Sequence, residues 1–145
     1  MSGTSESMKG HSDTTSEGIR IRVGAQYVPE HSDPDRSNFV FAYRVVIENV
    51  GREPAQLLER HWIIVDSLGE RREVRGPGVV GEQPKLAPGE RFEYVSGAQI
   101  ETDWGSMEGS YTFTRPAGAK FQARIGRFFL APNLAPLALE ESEKL

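Results

Sequence analysis

Apolar side chains occupy alternate positions through most of this chain, and this period constrains the fold more than any other feature. The segment FVFAYRVVIEN illustrates it, with one set of alternating positions filled by Phe39, Phe41, Tyr43, Val45 and Ile47. Successive side chains of a β-strand point to opposite faces of a sheet, so a period of two predicts strands that bury one face. An amphipathic helix needs a period of about 3.6, which no segment shows clearly.

Turn signals divide the alternating segments into about seven predicted strands. Three turns separate the first four strands, at Asp33-Pro34-Asp35, Asn49-Val50-Gly51 and Ser67-Leu68-Gly69. Strands separated by turns roughly every 8–12 residues are typical of sandwiches and barrels. Long strands around one core favour the sandwich, so we predict an all-β fold of two packed sheets.

One predicted strand is apolar on both faces. The segment LLERHWIIVD carries Leu58, Trp62 and Ile64 on one face and Leu57 and Ile63 on the other. A strand with two apolar faces is expected inside a sheet rather than at its edge.

The predicted strands lie between two segments that lack the composition of a folded core. Residues 1–17 are rich in Ser and Thr, and residues 137–145 are rich in Glu. Such segments bury too little apolar surface to offset the entropy lost on ordering. We therefore predict a disordered tail over residues 1–17, one β-sandwich domain over residues 18–136 and a flexible acidic tail over residues 137–145.

The net charge of −4 arises from those two tails. Two of the 17 basic and six of the 21 acidic residues lie in them, which leaves 15 of each in the predicted domain. A balanced domain lacks the basic bias of a nucleic-acid-binding protein. No apolar run reaches the ~18 residues of a membrane helix, no apolar signal sequence is visible, and cysteine is absent. We therefore expect neither nucleic acid nor a membrane among the partners.

The glycine spacing in the segment GPGVVGEQP matches that of a dinucleotide-binding loop. Gly76, Gly78 and Gly81 follow the pattern G-x-G-x-x-G, in which a helix starting at the loop directs its N–H groups at a pyrophosphate. Here Pro84 and Pro88 follow, and each removes a backbone donor and fixes φ. No helix of useful length can begin at Gly81, so the structural context of that motif is missing.

Two interpretations of this segment remain open. In the first, the backbone forms a concave nest for a small anion without a helix, and the candidate residues are Gly76, Gly78, Val79, Val80 and Gly81. In the second, the glycines only shape a sharp loop, while both valines pack into the core. The proline that follows the first glycine has no N–H to donate, which favours the second interpretation.

Four motifs of the sequence together resemble the ApaG family. They are RHW at residues 60–62, GVVGEQP at residues 78–84, LAPGE at residues 86–90 and the pattern G-x-M-x-G-x-Y at residues 105–111. The resemblance covers roughly residues 19–134, and four such motifs in order are far more selective than one glycine pattern.

The resemblance implies a fibronectin type III-like or immunoglobulin-like β-sandwich in a cytoplasmic protein. It implies a link to divalent-cation homeostasis, chiefly of cobalt and magnesium, without an established biochemical role. Related domains in eukaryotic F-box and DNA-polymerase-interacting proteins look like interaction modules. The resemblance also implies pyrophosphate as a ligand of the loop from Gly76 to Gly81, although Pro77 stands where the family is expected to have a polar or acidic residue.

No set of side chains predicts a metal site or a catalytic site. The three histidines are scattered, at His11, His31 and His61. The segment HSDPD offers too few oxygen ligands for a hard cation, and His61 is expected to be packed or hydrogen-bonded beside Trp62. Without cysteine or a G-x-S-x-G elbow, nothing marks a nucleophile. We predict a protein that is not an enzyme, with no metal and no cofactor.

We predict instead an interaction module whose partner is another protein. The candidate surface is the loop over residues 76–90 together with Trp104, which lies between Asp and Gly in a predicted turn. Exposed aromatic side chains often anchor partners, although packing of Trp104 over the end of the sandwich is an equal alternative. The alternative function is binding of pyrophosphate or a nucleotide by the loop from Gly76 to Gly81. An unpaired edge strand also offers a route to a homodimer.

Overall fold

The computed structural model describes residues 9–134, which form nine β-strands and two short 3-10 helices. In chain order the strands are β1 (His11–Ser16), β2 (Ile19–Tyr27), β3 (Phe39–Asn49), β4 (Ala55–Asp66), β5 (Arg71–Pro77), β6 (Lys85–Leu86), β7 (Arg91–Ile100), β8 (Gly105–Thr114) and β9 (Lys120–Leu130). The helices, Pro29–His31 and Pro34–Arg36, are far too short to cross a membrane. The predicted tail over residues 137–145 lies outside the described residues.

The strands form two antiparallel sheets. The first has the order β1-β2-β3-β7, and the second has the order β5-β4-β8-β9 with β6 paired to the start of β4. This confirms the predicted all-β sandwich, and β4 lies inside its sheet as its two apolar faces predicted. The two strands beyond the predicted seven are β1 and β6.

Aromatic side chains from both sheets meet in the core. The Trp62 ring on β4 makes edge-on contacts with the rings of Tyr43, Tyr111 and Phe128, at centroid distances of 5.3, 6.3 and 6.0 Å. Such pairs add stabilisation beyond the apolar area that they bury. Trp62 therefore joins β3 of one sheet to β4, β8 and β9 of the other.

A β-bulge in β4 changes which leucine faces the core. Leu57 is buried and Leu58 is not, because the pairing of β4 with β8 shifts register between Leu57 and Glu59. The prediction that Leu58 shares a face with Trp62 is therefore wrong, since a bulge inserts one residue and reverses the alternation on its far side. The displaced carbonyl of Leu58 accepts hydrogen bonds from the Gly78 N–H at 2.8 Å and from Gln83 Nε2 at 2.9 Å.

The structure also corrects the predicted disordered tail, since residues 11–16 form β1. This strand pairs with β2 along its whole length and contacts β9, where Ser12 Oγ donates to the Gly126 carbonyl at 2.7 Å and the Arg124 N–H donates to Ser16 Oγ. Backbone pairing stabilises a polar strand that has no apolar face of its own. The edges of β1 and β9 thus cover each other on one side of the sandwich.

The opposite side of the sandwich is open. It is bordered by the edges of β5 and β7, and within residues 9–134 no backbone hydrogen bond joins these two strands. A side-chain hydrogen bond bridges them, from Arg72 Nη2 to the Gln99 carbonyl at 2.9 Å. We call this face, between β5 and β7, the open side.

Candidate functional site: the open side of the sandwich

A tight hairpin follows β5 at the open side. The Val79 N–H donates to the Glu82 carbonyl at 2.8 Å, and the Glu82 N–H donates to the Val79 carbonyl at 2.9 Å. Between them Val80 has a φ of 44° and Gly81 a φ of 81°. Two successive positive φ values define a type I′ turn, the tightest common hairpin connection. We call residues 78–83 the hairpin.

Steric fit explains the two glycines that precede this turn. Gly78 has a φ of +64°, and a Cβ there would lie 2.3 Å from the Glu82 carbonyl oxygen. Gly76 belongs to β5, and a Cβ there would lie 2.8 Å from Nη2 of Arg60. The first glycine therefore closes the hairpin, and the second lets a guanidinium pack against the backbone.

The hairpin uses amide donors that an anion nest would need. The Gly78 N–H is bonded to the Leu58 carbonyl and the Val79 N–H to the Glu82 carbonyl. Of the candidate nest residues within the turn, only Val80 and Gly81 retain amides for which no hydrogen bond is found in the described part of the chain. The next element is strand β6 and not a helix, so no helix dipole adds to them.

The two valines of the hairpin differ in environment. Val79 is buried, as the second interpretation of the segment holds, but Val80 is 55% exposed, so that interpretation is wrong for Val80. The reason is the type I′ turn, which places Val80 at the hairpin tip. A β-branched residue at positive φ costs roughly 1–2 kcal/mol, and such strain tends to be kept where it serves function.

A cleft opens between the two sheets beneath the hairpin. It consists of two adjoining cavities of ≈ 240 and ≈ 250 Å³ that share the lining residues Tyr43, Arg60, Trp62 and Ser96. The hairpin and Tyr94 line one end, whereas the other end is lined by residues of β5 and β7, among them Arg72, Val74 and Gln99. We call this space the inter-sheet cleft.

Arg60 is the cation at the centre of the cleft. Its Nη1 donates to the carbonyls of Pro77 and Gly78, both at 2.9 Å, which fixes the hairpin to β4. Burial raises the pKa of Tyr43, Tyr94 and Tyr111, and the nearby positive charge of Arg60 offsets only part of that rise. These phenols therefore stay protonated at neutral pH, and none of them neutralises Arg60.

Arg60 and Arg72 also differ from most other arginines in lacking an acidic partner. In the part of the chain that the structure describes, three arginines form no ion pair, namely Arg52, Arg60 and Arg72. Two of the three line the cleft, whose lining includes no Asp or Glu. The lining of the cleft therefore carries positive charge and no acidic side chain, although Arg72 also borders a neighbouring cavity lined by Asp66, Glu70 and Glu101.

One buried donor beside the cleft has no partner. Nε1 of Trp62 is inaccessible to solvent and makes no hydrogen bond within residues 9–134. A buried donor without a partner costs about 1–3 kcal/mol of stability. The packing of the Trp62 ring therefore leaves its indole N–H without a hydrogen bond. Trp62 itself lines both cavities.

Trp104 lies at the far end of the molecule from the hairpin. It is 40% exposed and precedes Gly105, which pairs with Asp66 at the end of β4, whereas the Gly78 N–H bonds to the carbonyl of Leu58. At about 3.3 Å per residue, those two positions on β4 are roughly 26 Å apart. The predicted surface therefore divides into two separate regions. Beside Trp104, the neighbouring turn exposes Leu68.

The histidine in β4 makes the hydrogen bond that we expected. His61 Nε2 lies 2.9 Å from Oε1 of Glu73, and hydrogen bonds from His61 and Arg71 lower the pKa of Glu73. Ser110 faces His61 across the β4–β8 pairing, but its hydroxyl donates to Gln122 Oε1. No hydrogen bond joins Ser110 to His61 in the described chain, and no group of three or more metal-binding side chains is found there.

Three residues that line one end of the cleft, Val79, Val80 and Gly81, are candidates predicted from the sequence, but the residues that line the rest of it are not. One signal was present, because Arg60 lies two positions before Trp62 and so shares its inward face in the segment LLERHWIIVD. An arginine on an apolar strand face is unusual. By contrast, Tyr43, Arg72 and Ser96 are brought together only by the packing of the sheets.

Comparison with known proteins gives one consistent result. A sequence model of the ApaG domain matches residues 29–115. Protein ApaG from Thiobacillus denitrificans is 53% identical over 113 residues, covering 78% of this chain and 89% of that protein. Protein ApaG from Dechloromonas aromatica is 48% identical over 120 residues, covering 83% and 94%.

A solved structure agrees with the sequence comparisons. The crystal structure of a Bordetella pertussis protein that carries the name ApaA superimposes with a TM-score of 0.78 at 44% identity. The superposition covers 88% of this chain and 99% of that one. The relatives are therefore similar to this chain over nearly their whole length.

Proposed function

This chain belongs to the ApaG family, and from that premise we propose that it is a non-enzymatic module that binds another protein through its open side. The observation that carries the proposal is the pair of uncovered strand edges, β5 and β7, on either side of a cleft. Natural sandwiches usually cover or blunt such edges, because exposed edges pair with other chains.

The β7 edge has the features of a strand-addition surface. The Gln99 carbonyl faces β5, where Arg72 reaches it. Alternation along a strand turns the backbone groups of Gly97 and Val95 the same way. The Val95 side chain is 58% exposed and Gly97 has no side chain to obstruct an approach. An extended segment of a partner would gain main-chain hydrogen bonds here.

Features of the hairpin tip also favour the open side as the binding surface. Val80 combines exposure with a strained backbone. Contact with a partner would supply the reason for keeping a valine there. Trp104 and Leu68, at the far end, form a smaller second candidate.

Binding rather than catalysis accounts best for the polar groups in the described residues. The one histidine in a strand of the second sheet is bonded to Glu73, and the neighbouring serine hydroxyl is bonded elsewhere. The cytoplasmic location and the link to cobalt and magnesium homeostasis stay part of the proposal. In this proposal the link to cations is indirect and operates through the partner.

Three exposed valines provide matched test positions. Val50, Val80 and Val95 are 51%, 55% and 58% exposed, but only the last two border the open side, since Val50 lies in the β3–β4 turn. The test replaces each by aspartate, captures bound proteins from a lysate of the source cells, and then measures affinity for the purified partner. A fourth variant, Trp104→Ala, tests the far end.

We expect Val80→Asp and Val95→Asp to weaken partner binding at least tenfold, while Val50→Asp binds like the wild type. A partner that binds all four variants equally would refute the open side as the binding surface. Loss of binding in Trp104→Ala alone would move the surface to the far end. Sedimentation of the pure protein identifies the case in which the partner is a second copy.

A further inference from the structure

We infer that the inter-sheet cleft receives the carboxylate of a Glu or Asp side chain on an extended segment of the partner protein. This inference rests on the proposed function, because it specifies the chemistry that the open side selects. Two of the three arginines without an ion pair in residues 9–134, Arg60 and Arg72, line a space that has no acidic side chain in its lining.

Arg60 has donors to spare for an anion. A guanidinium has five N–H groups, and the hydrogen bonds of Nη1 to the carbonyls of Pro77 and Gly78 use two of them. Arg60 is half-buried, so a ligand carboxylate would meet it in a partly desolvated setting, where charge-assisted hydrogen bonds are strong. Arg72 is exposed at the rim and adds a second positive charge.

The geometry of strand addition brings a side chain to this position. A segment that pairs with the free edge of β7 extends the first sheet by one strand, and every second side chain of that strand points between the sheets. The space that those side chains would enter is the inter-sheet cleft, because it lies between β7 and the second sheet. Arg60 pairs with Gly76 and Arg72 with Ile64, so the two arginines lie four strand positions apart. Acidic residues four positions apart in the partner would therefore face them.

The division of the cleft into two compartments suits side chains that enter one at a time. Each cavity alone, at ≈ 240 and ≈ 250 Å³, is smaller than the roughly 300–1,000 Å³ of pockets that enclose whole small-molecule ligands. The aromatic lining from Tyr43 and Trp62 suits the methylene groups of glutamate. Carboxylates on an extended chain satisfy size, charge and the free edge together.

The test uses nuclear magnetic resonance with designed peptides. The probe is a capped seven-residue peptide, Thr-Glu-Val-Val-Val-Glu-Thr, whose two glutamates lie four positions apart on one face of a strand. The matched control peptide carries glutamine in place of both glutamates. The chain has two tryptophans, so its spectrum has two indole N–H signals. Trp62 reports on the cleft, and Trp104 serves as an internal control.

We expect the glutamate peptide to shift the Trp62 indole signal and the amides of Val95, Gly97 and Gln99, without shifting the Trp104 indole signal. The glutamine peptide should bind at least roughly tenfold more weakly, because a charge-assisted hydrogen bond is about twice as strong as a neutral one. Arg72→Gln should remove most of this preference, whereas the exposed control Arg52→Gln should keep it. Arg60→Gln serves as a second variant, checked for folding by its spectrum.

Each result decides a separate question. Equal binding of both peptides at the β7 amides overturns the carboxylate inference and leaves the proposed open side intact. If glutarate or pyrophosphate shifted the same signals at equal concentration, the inference of a peptide ligand would be overturned and a free small anion would be the ligand. Absence of any shift with the glutamate peptide at millimolar concentration also overturns the inference, while the three valine variants test the proposed function independently.

Discussion

The glycines of the GPGVVGEQP segment provide a graded test of whether they shape the backbone. The perturbation is replacement of one glycine at a time by alanine, at Gly76, Gly78 and Gly81. If the glycines serve the fold, the cost of each substitution should follow the space and the φ value at its position. If they served only to expose amides to an anion, stability would change little at any position without positive φ.

The structure assigns a different magnitude to each position. Gly81 has a φ of +81° and nothing within 4 Å of an added Cβ, so alanine there costs only the left-handed conformation, about 1 kcal/mol. Gly78 adds to that cost a Cβ 2.3 Å from the Glu82 carbonyl oxygen, which backbone movement alone can relieve. Losing the two Val79–Glu82 hydrogen bonds brings the expected cost to about 3–4 kcal/mol.

Gly76 tests a different contact. Its φ is not positive, but a Cβ would lie 2.8 Å from Nη2 of Arg60. Because the guanidinium is the mobile end of a side chain, it should move and lose its bonds to the carbonyls of Pro77 and Gly78. We expect a cost of about 1–3 kcal/mol.

Guanidinium chloride unfolding, followed by tryptophan fluorescence, measures the three costs. A shift of the midpoint at constant slope reports a change in stability rather than in the unfolded state. The predicted order of destabilisation is Gly78→Ala first and Gly81→Ala last. If Gly78→Ala were no more destabilising than Gly81→Ala, the steric account of the hairpin would be refuted.

Three further predictions concern stability. Val80→Asn should raise the free energy of unfolding by about 1 kcal/mol, because Asn-Gly is a preferred type I′ pair and Val80 has a φ of 44°. A decrease in the unfolding midpoint would contradict the claim that Val80 strains the backbone. Asn49→Ala should lower the free energy of unfolding by about 2–4 kcal/mol, because this fully buried side chain makes three hydrogen bonds that alanine cannot replace. A loss below about 1 kcal/mol, as for one exposed hydrogen bond, would contradict the importance of these three bonds. Burial raises the pKa of Tyr43, Tyr94 and Tyr111 above 10.0, so the folded chain keeps protons that the unfolded chain loses. Stability should therefore be constant below about pH 9 and fall above pH 10, by up to about 4 kcal/mol per pH unit for three phenols. Denaturant titrations from pH 8 to 11 measure that slope, which Tyr94→Phe should reduce by about a third; an unchanged slope would contradict the assignment.

Much of the sandwich could be predicted because apolar residues alternate with polar ones within each short segment of the sequence. Strand β3 alternates without interruption, and its inward positions, among them Phe41 and Val45, are buried as expected. Strand β1 could not be predicted in this way, because its side chains are polar and its stability comes from backbone pairing with β2 and from contacts with β9. The amino-acid composition of a segment does not indicate which of its backbone groups form hydrogen bonds with another strand.

The candidate site was harder to predict than the fold. The bulge at Leu58 changes the alternation of β4 without a glycine or proline to mark it, and it supplies the carbonyl that holds the hairpin. The type I′ turn places a valine at positive φ, against the usual preference of that residue. The cleft depends on side chains from β3, β4, β5 and β7, which only the packing of the two sheets brings together.

Hydrogen exchange of the protein alone and bound to its captured partner tests the open side most directly. Amides on uncovered strand edges exchange readily, and pairing with another chain slows them. The account predicts protection on binding in residues 93–99 of β7 and in residues 72–81 of β5 and the hairpin. It predicts no change in residues 67–69 and 101–104, at the far end. Protection confined to the far end, or to the covered edges of β1 and β9, would contradict it.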